Sequence, residues 1–304
     1  MNPQQLGALM VLLSAAGFAT LAIFIKLAYA AGANTLTILT LRFTLASLML
    51  WAILKPLGLS PRMDRKTLFQ LFLMGALGYG SMSLLFTLTV QYLPASLAEI
   101  LLFTYPAIVS ILSFILGEDQ FSWLKGGALA ACLAGLIFIL GLSFEGINPL
   151  GLATGLGGAM IYSIYILVGN RVLKKAHSLV ATTYVCSSAA AIFLLSSLVS
   201  GSLILTLPLN GWLSIIGIAL FATIVGILAF FMGLTRVGAA NASIISTAEP
   251  VITVILSVII LGEHLTGWQL VGAGLVVGSI ILLQLSPRQE SAEVKAPLPA
   301  SQHE

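Results

Sequence analysis

Charge is what this sequence lacks most. Only 8% of its 304 residues are charged and 59% are hydrophobic, where an ordinary soluble domain is roughly one quarter charged. A chain so poor in polar groups cannot cover itself with them, so most of its surface must face lipid. Histidine is scarce as well, and His177, His264 and His303 all fall in loops or the tail. With no H-E-x-x-H pair and no G-x-S-x-G elbow, a membrane-embedded enzyme would lack metal ligands and a general base, and no metal or cofactor is expected. The two cysteines, Cys132 and Cys186, lie inside apolar runs without metal-ligand spacing, and read as small core residues. The formal charge of +3 does not indicate a nucleic-acid partner, because basic residues beside apolar runs report topology.

No Lys or Arg precedes the first apolar run, although Leu6–Ile25 followed by Ala28-Tyr29-Ala30 has the outline of a signal peptide. The run is also longer than the 7 to 15 residues of a signal-peptide core, and is expected to be a retained helix. Strict alternation, which a transmembrane β-barrel would require, is missing too.

What the sequence does hold is ten apolar runs of about 20 residues, the length that crosses roughly 30 Å of hydrocarbon as a helix. They are Leu6–Tyr29, Thr35–Leu54, Leu68–Val90, Ala95–Leu116, Leu124–Leu142, Pro149–Gly169, Leu179–Ser200, Trp212–Gly233, Ala240–Leu261 and Gly267–Leu285. The expected fold is an all-α polytopic membrane protein, since helices satisfy their own backbone in lipid. Glycine and alanine concentrate in the fifth and tenth runs, as at Gly135, Gly272 and Gly278, which suits close helix packing. Trp51, Trp123, Trp212 and Trp268 lie near run ends and read as interfacial anchors.

Placing both termini in the cytoplasm puts Lys55, Arg62, Arg65, Lys66, Lys125, Arg171, Lys174, Lys175, Arg236, Arg288 and Lys295 on the inside and no basic residue in an outside loop. The other two, Lys26 and Arg42, lie within runs. That asymmetry fixes the orientation. The tail 286–304, rich in Ser, Pro, Gln, Glu and Ala, is expected to be disordered.

The sequence also repeats. Leu6-Gly7, Phe86, Ala95 and Pro106 recur as Leu150-Gly151, Phe230, Ala239 and Pro250 at one offset of 144 residues. Leu116-Gly117-Glu118 and Trp123 recur as Leu261-Gly262-Glu263 and Trp268 at 145. Each copy holds five runs, an odd number, so the second must enter the membrane the other way up. The expected units are residues 1–148 and 149–285, two inverted five-helix repeats.

These residues resemble the drug/metabolite transporter superfamily, specifically its EamA-type branch: ten spans, a five-plus-five inverted repeat, and a proline-containing span ending in Gly-Glu in both halves. The resemblance covers roughly Leu6–Leu285. It implies transport of small metabolites without ATP, often export of amino acids or related compounds, in the plasma (inner) membrane. Efflux of multiple drugs or lipophilic cations is the alternative within the same fold, and a receptor or scaffold stands outside it. The partners to expect are a small-molecule substrate, lipid and, where transport is coupled, protons, with the chain a monomer or homodimer.

Ionisable residues inside the membrane are the candidate site, because each is costly there. At 1.5 Å per residue Glu249 lies about 13 Å into its run, near the bilayer centre. Three roles fit it: holding a cationic or amine-bearing substrate, carrying a proton, or bonding to backbone loosened by Pro250. Its repeat counterpart is Tyr105, beside Pro106. Broken helices near the midplane are where transporters build binding sites, so Tyr79, Tyr162, Tyr165, Ser81, Thr20 and Thr223, at similar depth, join the candidate substrate-binding residues. Glu99, Arg42 and Lys26 share a layer nearer the outside. They are expected to neutralise one another, with Arg42 pairing to Glu99 and Lys26 reaching outward, or to act as an outer gate.

Overall fold

The computed structural model describes residues 3–116, 123–140, 147–172, 177–230, 232–233, 236, 245–246 and 248–285. Among these residues the chain runs through ten helices in order. They are α1 (Pro3–Ala30), α2 (Thr35–Leu54), α3 (Arg65–Tyr92), α4 (Ala95–Leu102 and, after a break, Tyr105–Ile115), α5 (Trp123–Leu140), α6 (Pro149–Val172), α7 (Ser178–Ser200), α8 (Leu209–Phe230), α9 (Ala248–Leu261) and α10 (Gly267–Leu285). Among the described residues, α1, α2, α3, α6, α7 and α8 are long and apolar enough to cross a membrane unaided. The others are broken, short or bounded by residues outside the description. The tail 286–304, Gly117-Glu118-Asp119, Lys174, Lys175 and the start of the ninth run at Ala240 also lie outside it.

The extensive helix pairs all join one half of the chain to the other: α5 with α10, α2 with α7, α3 with α6, α1 with α8, α1 with α9 and α4 with α6. Under the 144-residue correspondence these contacts map onto each other, as a pseudo-twofold arrangement requires. The halves interleave rather than sit side by side. Small residues permit this. A Cβ on Gly135 would lie 2.7 Å from the Gly272 carbonyl oxygen, and one on Gly17 would lie 2.7 Å from that of Phe221, so these are points where backbones meet.

Two irregularities repeat the symmetry in the backbone itself. Helix α3 widens into a π-helical stretch over Met74–Tyr79 and α8 over Ile218–Val225. Their first residues are separated by the repeat offset of 144. Such widening is rare and concentrates where a helix is shaped for function. Helix α4 breaks where Phe103 and Thr104 flatten to ψ of 6° and −11°. The second piece restarts with Pro106 in its first turn, where the missing N–H has no partner to lose.

The Gly-Glu motif closing α9 has a structural task. Gly262 takes a positive φ of 66° and turns the chain, and Glu263 then accepts from Ala95 N–H at 2.6 Å, Ser96 N–H at 3.2 Å and the Ser96 hydroxyl at 2.7 Å. A carboxylate thus caps the N-terminus of α4, satisfying orphan donors and opposing the helix dipole. Glu263→Ala should lower stability by about 1–3 kcal/mol by leaving those donors unpaired. Thermal unfolding of the purified protein checks this, and an unchanged midpoint would refute it.

Candidate functional site

Where the halves meet, α1, α2, α3, α4, α6 and α9 line a partly open cavity of about 110 Å³. At roughly 30 Å³ per water it holds about four waters, the scale of a small polar solute. Arg42, Tyr79, Tyr105, Tyr162 and Glu249 contribute to its wall, with Phe18, Phe86 and Phe103 among the apolar residues. The aromatic side is a continuous ladder. Tyr105 meets Tyr162 edge-on at 4.7 Å, Tyr162 stacks on Tyr165 at 6.0 Å, and Tyr165 lies 5.7 Å from Tyr79. The α4 break opens onto this wall, and Ser163 of α6 donates to the Tyr105 carbonyl at 3.1 Å across the gap.

Glu249 lies on α9 directly before Pro250, and its side chain reaches the cavity wall. Its partner is Glu99 of α4: the two carboxyls are hydrogen-bonded to each other. A carboxylate can only accept, so this bond requires at least one proton between them. Glu99 is 2% exposed.

Arg42 does not pair with Glu99, contrary to the layer-based expectation. Its Nη2 donates to the Tyr79 hydroxyl at 3.4 Å, a long bond, and its guanidinium carbon lies 4.9 Å from the centre of the Phe43 ring. Its Nε is buried without a hydrogen-bond partner. The reason is azimuthal. Depth puts Arg42 and Glu99 in one layer, but they project from α2 and α4, and α9 brings Glu249 to Glu99 first.

Lys26 is removed from both. It lines a separate vestibule of about 570 Å³ with Tyr29, Asn34, Thr35 and Gln91, within electrostatic reach of the capping Glu263. The expected triad of Arg42, Glu99 and Lys26 is therefore three different environments. Thr20 and Thr223 are also displaced from the cavity wall. Thr20 donates to the Gly17 carbonyl of its own helix at 2.7 Å, and fully buried Thr223 donates to the Ile218 carbonyl at 3.1 Å inside the π stretch. Tyr165 supports the ladder but faces a second, mostly apolar groove between α3 and α6. In α3 the cavity residue is Ser83 rather than Ser81, with a buried hydroxyl that has no partner.

Comparison with known proteins bears on this arrangement. The model of the EamA-like transporter family matches residues 5–141 and again 149–285. An uncharacterized transporter of Synechocystis sp. is 31% identical over 68% of this chain and 65% of its own length. The threonine/homoserine exporter RhtA of Escherichia coli (strain K12) is 29% identical over 83% of this chain and 82% of its own. The protein of the same name from Salmonella typhimurium (strain LT2) is 29% identical over 84% and 85%. One solved crystal structure superposes with a TM-score of 0.64 over 93% of this chain and 97% of its own at 17% identity, a likeness of fold alone.

The contacts make a prediction that the layer-based reading would not. In double-mutant cycles read by thermal stability, Glu99→Ala and Glu249→Ala should be non-additive by more than about 0.5 kcal/mol, whereas Arg42→Ala and Glu99→Ala should add more nearly. The reverse ordering would restore the Arg42–Glu99 pair.

Proposed function

The chain belongs to the EamA-like transporter family, and from that premise we propose that it is a secondary exporter of amino acids or related small metabolites. It is an integral, multi-pass membrane protein of this transporter type. On this reading the units 1–148 and 149–285 rock about the cavity in alternating access. The tail 286–304 extends into the cytoplasm, both termini are cytoplasmic, and the membrane is the plasma (inner) membrane. The partners are a small solute and lipid.

One observation carries the reading: a cavity between the halves whose wall holds both a guanidinium, Arg42, and a carboxyl, Glu249, among tyrosine hydroxyls. A solute with both charges is matched by such a wall, and an uncharged or singly charged one is not. The names of the RhtA relatives point to the same class. Efflux of lipophilic cations, the other transport reading, is disfavoured by Arg42 in the wall and by the cavity's small size, since drug-sized ligands need roughly 300 Å³ or more. The mid-membrane carboxyl and the interleaved repeat are not required by a receptor, a scaffold or an enzyme.

Reconstituted vesicles test the proposal. Their orientation is set by labelling a cysteine placed in the 201–208 loop, which belongs on the outside. Amino acids such as L-threonine and L-homoserine should exchange across the membrane at rates well above protein-free vesicles, and cationic dyes should not. Movement of dyes but of no amino acid would overturn the reading.

A further inference from the structure

The Glu99–Glu249 contact has an unusual electrostatic setting. The cavity and its lining are built from α1, α2, α3, α4, α6 and α9, and the titratable or charged groups these bring are few. Helix α1 contributes only Phe18 and Leu21. Helix α2 contributes Arg42, α3 Tyr79, α4 Glu99 and Tyr105, α6 Tyr162, and α9 Glu249. Cys186 of α7 lies near Arg42 and Tyr79 behind the wall. The phenols surrounding Glu249 are neutral. Among the described residues of the lining the cation is Arg42, which is engaged with Tyr79 and Phe43 instead, and Lys26 opens elsewhere.

Two buried carboxyls cannot both ionise in contact without a cation between them. Among the described residues no side chain in this setting supplies that cation to the pair, so it comes from solution, and a proton is the smallest choice. An ammonium group is the other, offering N–H donors to both carboxyls at once. Arg42 meanwhile holds a buried Nε donor with nothing to bond, a standing cost that an incoming carboxylate would remove. Tyr79 stands within reach of both Arg42 and Glu249, so the two ends of the site are close.

We propose that Glu99, Glu249 and Arg42 form one exchange site, in which the α-ammonium group of a zwitterionic amino acid replaces the proton held between the two carboxyls while Arg42 takes the substrate's carboxylate. This deepens, and rests on, the amino-acid reading above. In the exchange, the O–H bond of the bridging carboxyl breaks and its proton passes to water. The ammonium keeps its own protons and forms N–H···O bonds to both carboxylates. The loaded site is one charge more negative than the empty one, and the released proton carries the difference. Loading from the cytoplasm releases the proton there. Unloading outside takes one up, so an inward proton gradient drives export.

Calorimetric titration of the purified full-length chain with L-threonine or L-homoserine, in buffers of different ionisation heat, tests this. About one proton should leave per substrate bound, and the dissociation constant should fall about tenfold per pH unit while the pair still holds its proton. Glu99→Gln, or Glu249→Gln should the first fail to fold, should abolish the release and flatten the pH dependence. Arg42→Gln and Arg42→Lys should weaken the amino acid at least about tenfold more than the matching amino alcohol, which lacks the carboxylate. Binding without proton release overturns the exchange and leaves the amino-acid reading standing. Equal losses for amino acid and amino alcohol overturn the role of Arg42. Binding of dyes and of no amino acid overturns both.

Discussion

The structure turns on the contact between two carboxyls, Glu99 and Glu249, in a place where water is scarce. Either charge alone would be costly in such surroundings, and both together without a cation would be prohibitive. The chain keeps them in contact by bringing the first piece of α4 against the start of α9, one helix from each half. Glu249 stands directly before Pro250 on α9, and Glu99 lies in the eight-residue piece of α4 that ends before Phe103. The cavity, the tyrosine ladder and Arg42 take their meaning from that contact, because it sets what the site can accept.

The surrounding architecture is suited to moving around such a point. Every extensive helix pair joins the two halves, so a tilt of one half against the other shifts the walls of the cavity together. The π stretches of α3 and α8 occupy equivalent places in the repeat, and α4 breaks at Phe103 and Thr104. These are the segments where helical hydrogen bonding is already irregular, and bending there sacrifices least. At the end of the helices where α9 closes and α4 begins, Glu263 ties the turn after α9 to the head of α4, with Lys26 within electrostatic reach.

Much of this was legible in the sequence. Within the described residues the ten apolar runs lie on the ten helices, and Thr35–Leu54 and Gly267–Leu285 agree to the residue. The 144-residue offset foretold the symmetry of the contacts, and the lone acid before Pro250 led to Glu249, Tyr105, Tyr79 and Tyr162, all in the cavity wall. What was illegible was direction around the helix axis. Counting residues gives depth, and depth alone placed Arg42, Glu99 and Lys26 in one layer and Thr20 and Thr223 at the site. Azimuth depends on which helices pack together, and that sent Arg42 to Tyr79, Glu99 to Glu249, and both threonine hydroxyls back to their own helices. The cap from Glu263 to Ala95 joins positions 168 residues apart, beyond any local pattern. The repeated Gly-Glu motif marked the residue without revealing its partner.

The central claim is that a proton sits between Glu99 and Glu249 in the empty transporter. Wild-type-minus-variant infrared spectra of the substrate-free protein at neutral pH test it most directly. The account predicts the carbonyl stretch of a protonated carboxylic acid, shifted or lost in both Glu99→Gln and Glu249→Gln because the proton belongs to the pair. A spectrum without that band, or a band that one of the two substitutions leaves untouched, would contradict it.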